Sequence, residues 1–206
     1  AKESKVGEVF IATPDQKIID VVKKYSGNAI LTKKNHFSGS DRIYEVYKDK
    51  FNDSVDLIIN LQGDMPNIKP DAILKLEKLM RNNISDIGTL ASPLKNKDEI
   101  NDVNIVKVQV KDKLNNDNFI NAKDFFRIKN MLNIEKIYHH IGIYAFTKTA
   151  LTKYVNLSRS KLEIERNLEQ MRALENDMII KVGLYDSLPL GVDTKEDLIK
   201  VSKEMN

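Results

Sequence analysis

Val55-Asp56-Leu57-Ile58-Ile59-Asn60-Leu61-Gln62-Gly63-Asp64-Met65-Pro66 runs from an apolar stretch straight into a polar turn. Val55, Leu57, Ile58, Ile59 and Leu61 are apolar without strict alternation, the pattern of a strand covered on both faces, and they predict a strand at the centre of a sheet. In open α/β sheets ligands sit beyond the carboxyl ends of the strands, and here that place holds an amide, a glycine and a carboxylate. Gly63 lets the backbone turn and approach a ligand. Asp64 is a hard oxygen donor suited to Mg²⁺. The competing reading is a plain Gly-Asp turn in which the Asp64 carboxylate satisfies local backbone donors. On spacing alone both stand.

Outward from this strand the hydrophobic period switches repeatedly between strand-like runs and helix-like stripes, which predicts an α/β fold of βα units around a mixed, mostly parallel sheet. Val9 to Thr13 reads as a buried strand. It leads into Thr13-Pro14-Asp15-Gln16, a capping box with Thr13 as the cap and Pro14 in the first helical position. The helix carries Ile18, Ile19, Val21 and Val22 and stops near Gly27. Ala29 to Thr32 is a strand, Lys33 to Ser40 a loop and Arg42 to Lys48 a helix. Further on, Pro70 to Met80 is a helix with a stripe at Ile73, Leu76, Leu79 and Met80, and Ile87 to Ala91 is a strand. Val106 to Val110 alternates, as an antiparallel excursion would. Residues 112 to 135 are the least regular, read as a loop plus a short helix at Ala122 to Lys129. A strand at His140 to Phe146, a helix at Glu163 to Asn176, a strand at Ile179 to Tyr185 and a helix from Thr194 complete the chain. With no repeat, low-complexity linker or hinge, residues 1–206 read as a single domain.

Composition narrows the function. At 206 residues and 23.6 kDa the chain can bury a sizeable core. Its 33 basic and 30 acidic residues leave a net charge of +3, which argues against a nucleic-acid binder. Cys is absent, so disulfides, thiolate zinc sites and cysteine nucleophiles are excluded, and a reducing cytoplasm fits. No apolar run approaches the roughly 20 residues that span a bilayer, and the Ala-Lys-Glu-Ser-Lys start is not built like a signal peptide, so a soluble protein without membrane insertion is expected. The chain has no G-x-G-x-x-G, no G-x-x-x-x-G-K-[ST] and no G-x-S-x-G. Its three histidines are His36, His139 and His140, and the adjacent pair on a strand points to opposite faces and cannot chelate one ion.

Four other places could carry chemistry. In Leu190-Gly191-Val192-Asp193-Thr194, Thr194 can cap the last helix with Asp197 completing the box, which leaves Asp193 free for a ligand. Two carboxylates at strand ends could share one Mg²⁺ bridging triphosphate oxygens. Phe37-Ser38-Gly39-Ser40-Asp41-Arg42 offers hydroxyls, backbone N–H groups and a guanidinium to an anion, or else a Ser40 cap with a solvated Arg42. His140, Gly142 and Tyr144 share one strand face by period 2, as a polar wall or as half-buried core. In the helix Glu163 to Asn176, Ile164, Leu168, Met171 and Leu174 form the buried stripe. Glu165, Glu169, Gln170 and Arg172 lie off it, with Glu169 and Arg172 spaced as an i,i+3 pair on a solvated face.

Taken in order, seven segments resemble the 3-deoxy-manno-octulosonate cytidylyltransferases, or CMP-Kdo synthetases. They are Phe10 to Thr13 with Asp15, His36 to Arg42, Asn60 to Pro66, Asn104 to Val108, His140 to Phe146, Leu168 to Asn176 and Gly191 to Thr194. The resemblance implies a nucleotide-diphospho-sugar transferase-like fold and a reaction of CTP with Kdo to give CMP-Kdo and pyrophosphate. It implies that Asp64 and Asp193 are catalytic and carry Mg²⁺, that Ser38, Arg42 and Gln62 lie on the cytidine side, and that His140, Tyr144, Glu169 and Gln170 contact the sugar acid. Arg127, in Phe125-Phe126-Arg127-Ile128, is the nearest match to a family arginine that faces the substrate carboxylate. A cytoplasmic homodimer serving lipopolysaccharide synthesis is implied too. The family opens with a strand and a basic, glycine-containing phosphate loop, then a helix, that would precede residue 1, so an N-terminally incomplete sequence is expected; a true start at residue 1 would instead leave a gap in the sheet and put activity in doubt. The alternatives are a related synthetase acting on an amino-Kdo or nonulosonic acid, and a truncated non-catalytic homologue. The Leu168 to Asn176 segment favours Kdo, and retention of both Asp64 and Asp193 opposes a non-catalytic role.

Overall fold

The computed structural model describes residues 1–51, 54–96, 98–128, 135–192 and 194–205. Strands β1 (Phe10–Thr13) and β2 (Asn28–Leu31) form a parallel pair connected by helix α1 (Gln16–Lys24). The cap of α1 is Asp15, which accepts the Lys17 N–H at 2.8 Å, and not Thr13 as expected. Pro14 is the reason: the residue before a proline is held extended, so Thr13 ends the strand. Ser26, not Gly27, takes the left-handed conformation that closes the helix, with φ 57°. Gly27 serves a close approach instead, because a Cβ there would lie 2.6 Å from Val22 Cγ1.

The larger sheet comprises β3 (Leu57–Leu61), β4 (Ile87–Pro93), β5 (Lys107–Val110), β6 (Phe119–Phe126), β7 (Ile137–Thr147) and β8 (Ile180–Leu184), in the order β3-β7-β4-β8-β6-β5. The mixed α/β class holds. Of the described pairings β1–β2 and β4–β8 are parallel, and the antiparallel share is larger than the βα rhythm predicts because β7 runs in reverse between β3 and β4. β5 also pairs with the first part of β7, so β7, β4, β8, β6 and β5 close into a ring.

Three expectations need correction. Among the described residues β3 is the end strand of the larger sheet, not its centre. It is apolar on both faces because Ile58 packs into one core cluster while Leu57, Ile59 and Leu61 pack into the other. The segment read as loop plus helix is β6 over residues 119–126, where exposure alternates along the strand before two buried phenylalanines. Residues 129–134 of that segment lie outside the described residues. The single helix at Glu163 to Asn176 is two, α6 (Lys161–Arg166) and α7 (Gln170–Leu174), separated by Asn167 in the left-handed conformation at φ 52°. Asn tolerates that conformation better than most residues. A Ser160–Glu163 capping box starts α6 and resets its register, so Glu163 is 1% exposed and Ile164 is 59% exposed, the reverse of the expected stripe.

The remaining helices are α2 (Gly39–Val46), α3 (Pro70–Asn82), α4 (Asp98–Asn101), α5 (Lys148–Asn156) and α8 (Lys195–Glu204). α3 follows its sequence pattern, with Pro70 in its first turn and Ile73, Leu76 and Met80 buried. The Thr194–Asp197 capping box of α8 forms as expected. Two apolar layers sandwich the sheet. One gathers Tyr144 and Phe146 of β7 with Leu151 and Tyr154 of α5 and Met171 of α7. The other gathers Ile141, Ile143 and Ala145 with Ala72, Ile73 and Leu76 of α3. α2 packs on both β1 and β3 and so spans the two sheets. Among the described residues no helix is long and apolar enough to cross a membrane.

Candidate active site

A cleft of about 460 Å³ opens beyond the carboxyl end of β3. One wall is the N-terminus of α2, with Phe37, Ser38 and Gly39. Gln62, Asp64, His140, Gly142 and Tyr144 form the floor. Glu163, Glu169 and Gln170 form the opposite wall, and Arg127 and Arg159 also line the space. Eight of the ten residues singled out from sequence therefore share one cavity: Ser38, Gln62, Asp64, Arg127, His140, Tyr144, Glu169 and Gln170. Arg42 is not among them. Its Nη1 donates to Thr32 Oγ1 at 2.6 Å and to the Lys33 carbonyl at 2.9 Å, bracing the turn after β2. Asp193 lies outside the described residues. Its chain neighbour Val192 donates its N–H to the Asp64 carbonyl at 2.8 Å.

Ser38 caps α2, accepting the Asp41 N–H at 3.2 Å and donating its own hydroxyl to Asp41 Oδ2 at 2.8 Å. The next residue must be small, because a Cβ on Gly39 would sit 3.2 to 3.3 Å from the Gln62 amide. Glu169 then bridges the walls. Its Oε2 accepts the Ser40 N–H at 3.2 Å and its Oε1 accepts Gln62 Nε2 at 3.3 Å. A carboxylate at a helix N-terminus is favourably placed against the helix dipole. The break at Asn167 is what brings Glu169 there.

His140 is buried, and burial, with a smaller repulsion from His139, pushes its pKa down to about 3. The imidazole is therefore neutral at ordinary pH. Thr89 donates its single hydroxyl proton to the Ile143 carbonyl at 2.7 Å, with the Ile141 carbonyl at 3.2 Å. Its lone pair is left to accept from His140 Nε2 at 2.9 Å. That assigns the proton to Nε2 and makes Nδ1 an acceptor. Burial and the nearby Glu169 charge raise the Tyr144 pKa well above its ordinary value, which keeps the phenol protonated and able to donate. Gln170 Nε2 is buried and has no partner among the described residues. Such an orphan donor in a cleft wall is what a ligand oxygen satisfies.

The residues Asn104 to Val108 build a clamp that sequence reading did not find. Lys107 is fully buried, and its Nζ donates to the carbonyls of Asp102 at 2.7 Å and Ile105 at 2.9 Å. Arg127 Nη1 donates to the carbonyls between them, Val103 at 3.2 Å and Asn104 at 3.0 Å. Four consecutive carbonyls thus face two cations, and the loop is held beside Val106, which lines the cleft. Burial lowers the Lys107 pKa.

A second network lies behind the α7 wall. Arg172 pairs with both oxygens of Glu163 and with both oxygens of Asp41, while Arg159 also donates to Glu163. Burial opposes the Glu163 charge, but its hydrogen bonds to Arg172 and Arg159 outweigh this and leave its pKa below the ordinary value. Arg172 was expected on a solvated face beside Glu169. Only its backbone N–H meets the Glu169 carbonyl, at 3.1 Å. The roles of Asp41, Tyr154, Arg159 and Glu163 escaped the sequence reading, and one local signal was available, the Ser160-x-x-Glu163 spacing of a capping box.

Residues 1–180 match the family model described as cytidylyltransferase. The chain is 40% identical over 208 residues to the 3-deoxy-manno-octulosonate cytidylyltransferase of Bartonella tribocorum (strain CIP 105476 / IBS 506), an alignment covering 98% of this chain and 83% of that protein. It is 38% identical over 204 residues to the enzyme of the same name from Rhizobium etli (strain ATCC 51251 / DSM 11541 / JCM 21823 / NBRC 15573 / CFN 42), covering 98% of this chain and 80% of that one. Among solved structures, CMP:2-keto-3-deoxy-manno-octonic acid synthetase complexed with CTP superposes with a TM-score of 0.85 at 33% identity, over 97% of this chain and 81% of that one. The 4-diphosphocytidyl-2C-methyl-D-erythritol synthase of Anaerococcus prevotii DSM 20548 shares the fold, with a TM-score of 0.64 at 17% identity, over 99% of this chain and 84% of that one.

Proposed function

The chain belongs to the cytidylyltransferase family, among the 3-deoxy-manno-octulosonate cytidylyltransferases, and from that premise we propose that it activates Kdo with CTP to give CMP-Kdo and pyrophosphate. One observation carries the reading: a single cleft is lined by Ser38 and Gly39 at the α2 N-terminus, by Gln62, Asp64, His140 and Tyr144, and by Gln170. In the reaction the anomeric hydroxyl oxygen of the sugar acid bonds to the α-phosphorus, the bond from that phosphorus to the β-bridging oxygen breaks, and pyrophosphate leaves. The hydroxyl proton is released. Ser38 and Gln62 serve the nucleotide side; Gln170 and Tyr144 donate, and His140 Nδ1 accepts, on the sugar side. Arg127 is positioned to meet the substrate carboxylate if it releases the Val103 and Asn104 carbonyls. The buried, neutral imidazole matters here. It can accept a sugar hydroxyl without adding a cation that would have to be desolvated with it.

Mg²⁺ fits the donor set. The Asp64 carboxylate is exposed in the cleft and hydrogen-bonds to no described residue, while its backbone carbonyl accepts the Val192 N–H. No group of three or more His, Asp or Glu residues with metal-cage geometry occurs among the described residues. Mg²⁺ asks for one or two carboxylates completed by phosphate oxygens rather than an all-protein cage. Bound there between Asp64 and Asp193, it would neutralise the charge developing on the phosphates. We infer further a cytoplasmic homodimer that supplies the activated sugar for lipopolysaccharide, in keeping with the absence of Cys and with the family.

The test is pyrophosphate release by the purified protein with CTP, Mg²⁺ and Kdo, beside amino-Kdo and a nonulosonic acid. Kdo-dependent release above the other two acids supports the proposal. Preference for either of the others reassigns the substrate, and no release with any acid removes the catalytic reading.

A further inference from the structure

We propose that Arg172 is a positioning residue that locks the two cleft walls at a fixed separation, so that ligands held on α2 and on α7 meet in register. The identity of those ligands rests on the function proposed above; the locking rests on geometry alone.

The two walls come from parts of the chain more than a hundred residues apart, and nothing in the local sequence of either sets their distance. Arg172 does so through its planar fork. Nε and Nη2 reach Glu163 Oε2 and Oε1 at 2.9 and 2.7 Å, while Nη1 and Nη2 reach Asp41 Oδ1 and Oδ2 at 3.0 and 3.2 Å. Glu163 belongs to α6, and Asp41 lies in the first turn of α2, one residue beyond the Ser40 N–H that Glu169 accepts. The guanidinium also lies 4.4 Å from the centre of the Tyr154 ring, and the hydroxyl of Tyr154 donates to the Glu169 carbonyl at 3.1 Å. One side chain therefore joins α2, α5, α6 and α7.

Arg172 is 2% exposed, makes four hydrogen bonds to Glu163 and Asp41 and does not line the cleft, so it is not itself a ligand contact. Its burial is compensated: two carboxylates, Asp41 and Glu163, face two guanidinium groups, Arg172 and Arg159. A rigid guanidinium can hold two carboxylates at a set angle, whereas a lysine is a point charge on a flexible stem. The Glu169 bridges to Ser40 and Gln62 are longer, at 3.2 and 3.3 Å, and lie on the cleft side of this lock. Loosening the lock lets α2 move from Glu169, and both half-sites widen.

The test compares Asp41→Asn and Arg172→Lys in the whole protein. Asp41→Asn weakens the link to α2 but leaves the Arg172–Glu163 pair, so α6 and α7 stay joined. Amide hydrogen exchange should accelerate about tenfold at residues 38–42 and 168–172 together, as expected for loss of one charge-assisted buried contact, and not in β4 or β8. KM should rise for both CTP and Kdo, by about fivefold or more, with Arg172→Lys the larger effect. A residue that merely supports the fold would lower the active fraction and leave both KM values alone. Acceleration confined to one wall, acceleration spread through β4 and β8, or unchanged KM values in a folded variant would overturn the proposal. An inert wild type would remove the proposed function and leave the exchange pattern to decide the lock.

Discussion

The turn Gln62–Asp64 and the segment Ser160–Arg172 both supply the cleft, yet they are built in opposite ways. The turn is local. A strand ends, Gly63 and Asp64 follow, and their place beyond the strand's carboxyl end is set by the residues immediately before them. The second segment takes its form from a distant partner, because Arg172, buried against Glu163, also pairs with Asp41, 131 residues away from it. Read as a helix, Glu165, Glu169, Gln170 and Arg172 look like a polar face, and Ile164 like part of the buried stripe. In the fold Glu163 and Arg172 are the buried residues and Ile164 is the exposed one. A charged residue is interior when a partner of opposite charge arrives from elsewhere, and periodicity carries no trace of that partner.

Breaking the local element should cost activity without stability. Asp64→Ala is expected to lower turnover by about a thousandfold or more, on the scale of losing a group that stabilises transition-state charge, while the melting temperature stays near that of the wild type. Asp193→Ala should match it. Near-normal Mg²⁺-dependent turnover in either variant would refute the metal assignment of that residue.

Breaking the non-local element should cost stability as well as binding. Glu163→Ala leaves the Arg172 guanidinium in a site 2% exposed with one carboxylate fewer, and removing one partner of a buried pair costs about 3–5 kcal/mol. Urea denaturation measures it. A loss below about 1 kcal/mol, the range of exposed ion pairs, would mean that the network is solvated in solution and the contrast between the two regions is false.

Legibility follows the same division. The strands β3, β4, β7 and β8 and the helix α3 were readable because each buries an apolar pattern generated by its own residues. The rank of β3 within the sheet was not, since a strand covered on both faces has the same composition at an edge as at the centre. β6 was missed because its alternation, with Lys123 and Asp124 ahead of Phe125 and Phe126, is shallow until the two phenylalanines find the core. In the cleft, period 2 put His140, Gly142 and Tyr144 on one face, while Ser38 came from the resemblance, since Ser40 reads as the cap and Ser38 takes that place. Arg42 reads as a ligand contact from its guanidinium and Arg127 from the resemblance, yet both donate to backbone carbonyls, which sequence does not display.

His140 sharpens the comparison by pH. Its pKa near 3 in the folded protein lies below the ordinary 6.5. Below pH 6.5 the unfolded chain binds a proton that the folded one refuses, so stability falls with pH by about 1.4 kcal/mol per unit until the folded pKa is reached. Above pH 6.5 both states are neutral and the contribution is flat. His139, also lowered by burial, acts with the same sign. Denaturant unfolding at pH 7 and pH 5 should show the wild type losing more than His140→Gln does; equal losses would mean that this imidazole is hydrated and protonated in the folded state.

The smallest effect separates the two sides of the cleft. Gln170 Nε2 is a buried donor with no partner among the described residues, so Gln170→Ala should raise KM for Kdo by about tenfold, the value of one hydrogen bond to a charged ligand group, with little change for CTP. His140→Ala should follow the same pattern. Glu169 differs, although the resemblance assigns it to the same sugar side. Its carboxylate accepts from Ser40 and Gln62, so it organises the nucleotide wall as well as its own. Glu169→Ala should therefore raise both KM values. A purely sugar-side effect for Glu169 would mean that its bridges to Ser40 and Gln62 open when substrates bind, and the two walls would then be held together from behind the cleft alone, by the buried ion network.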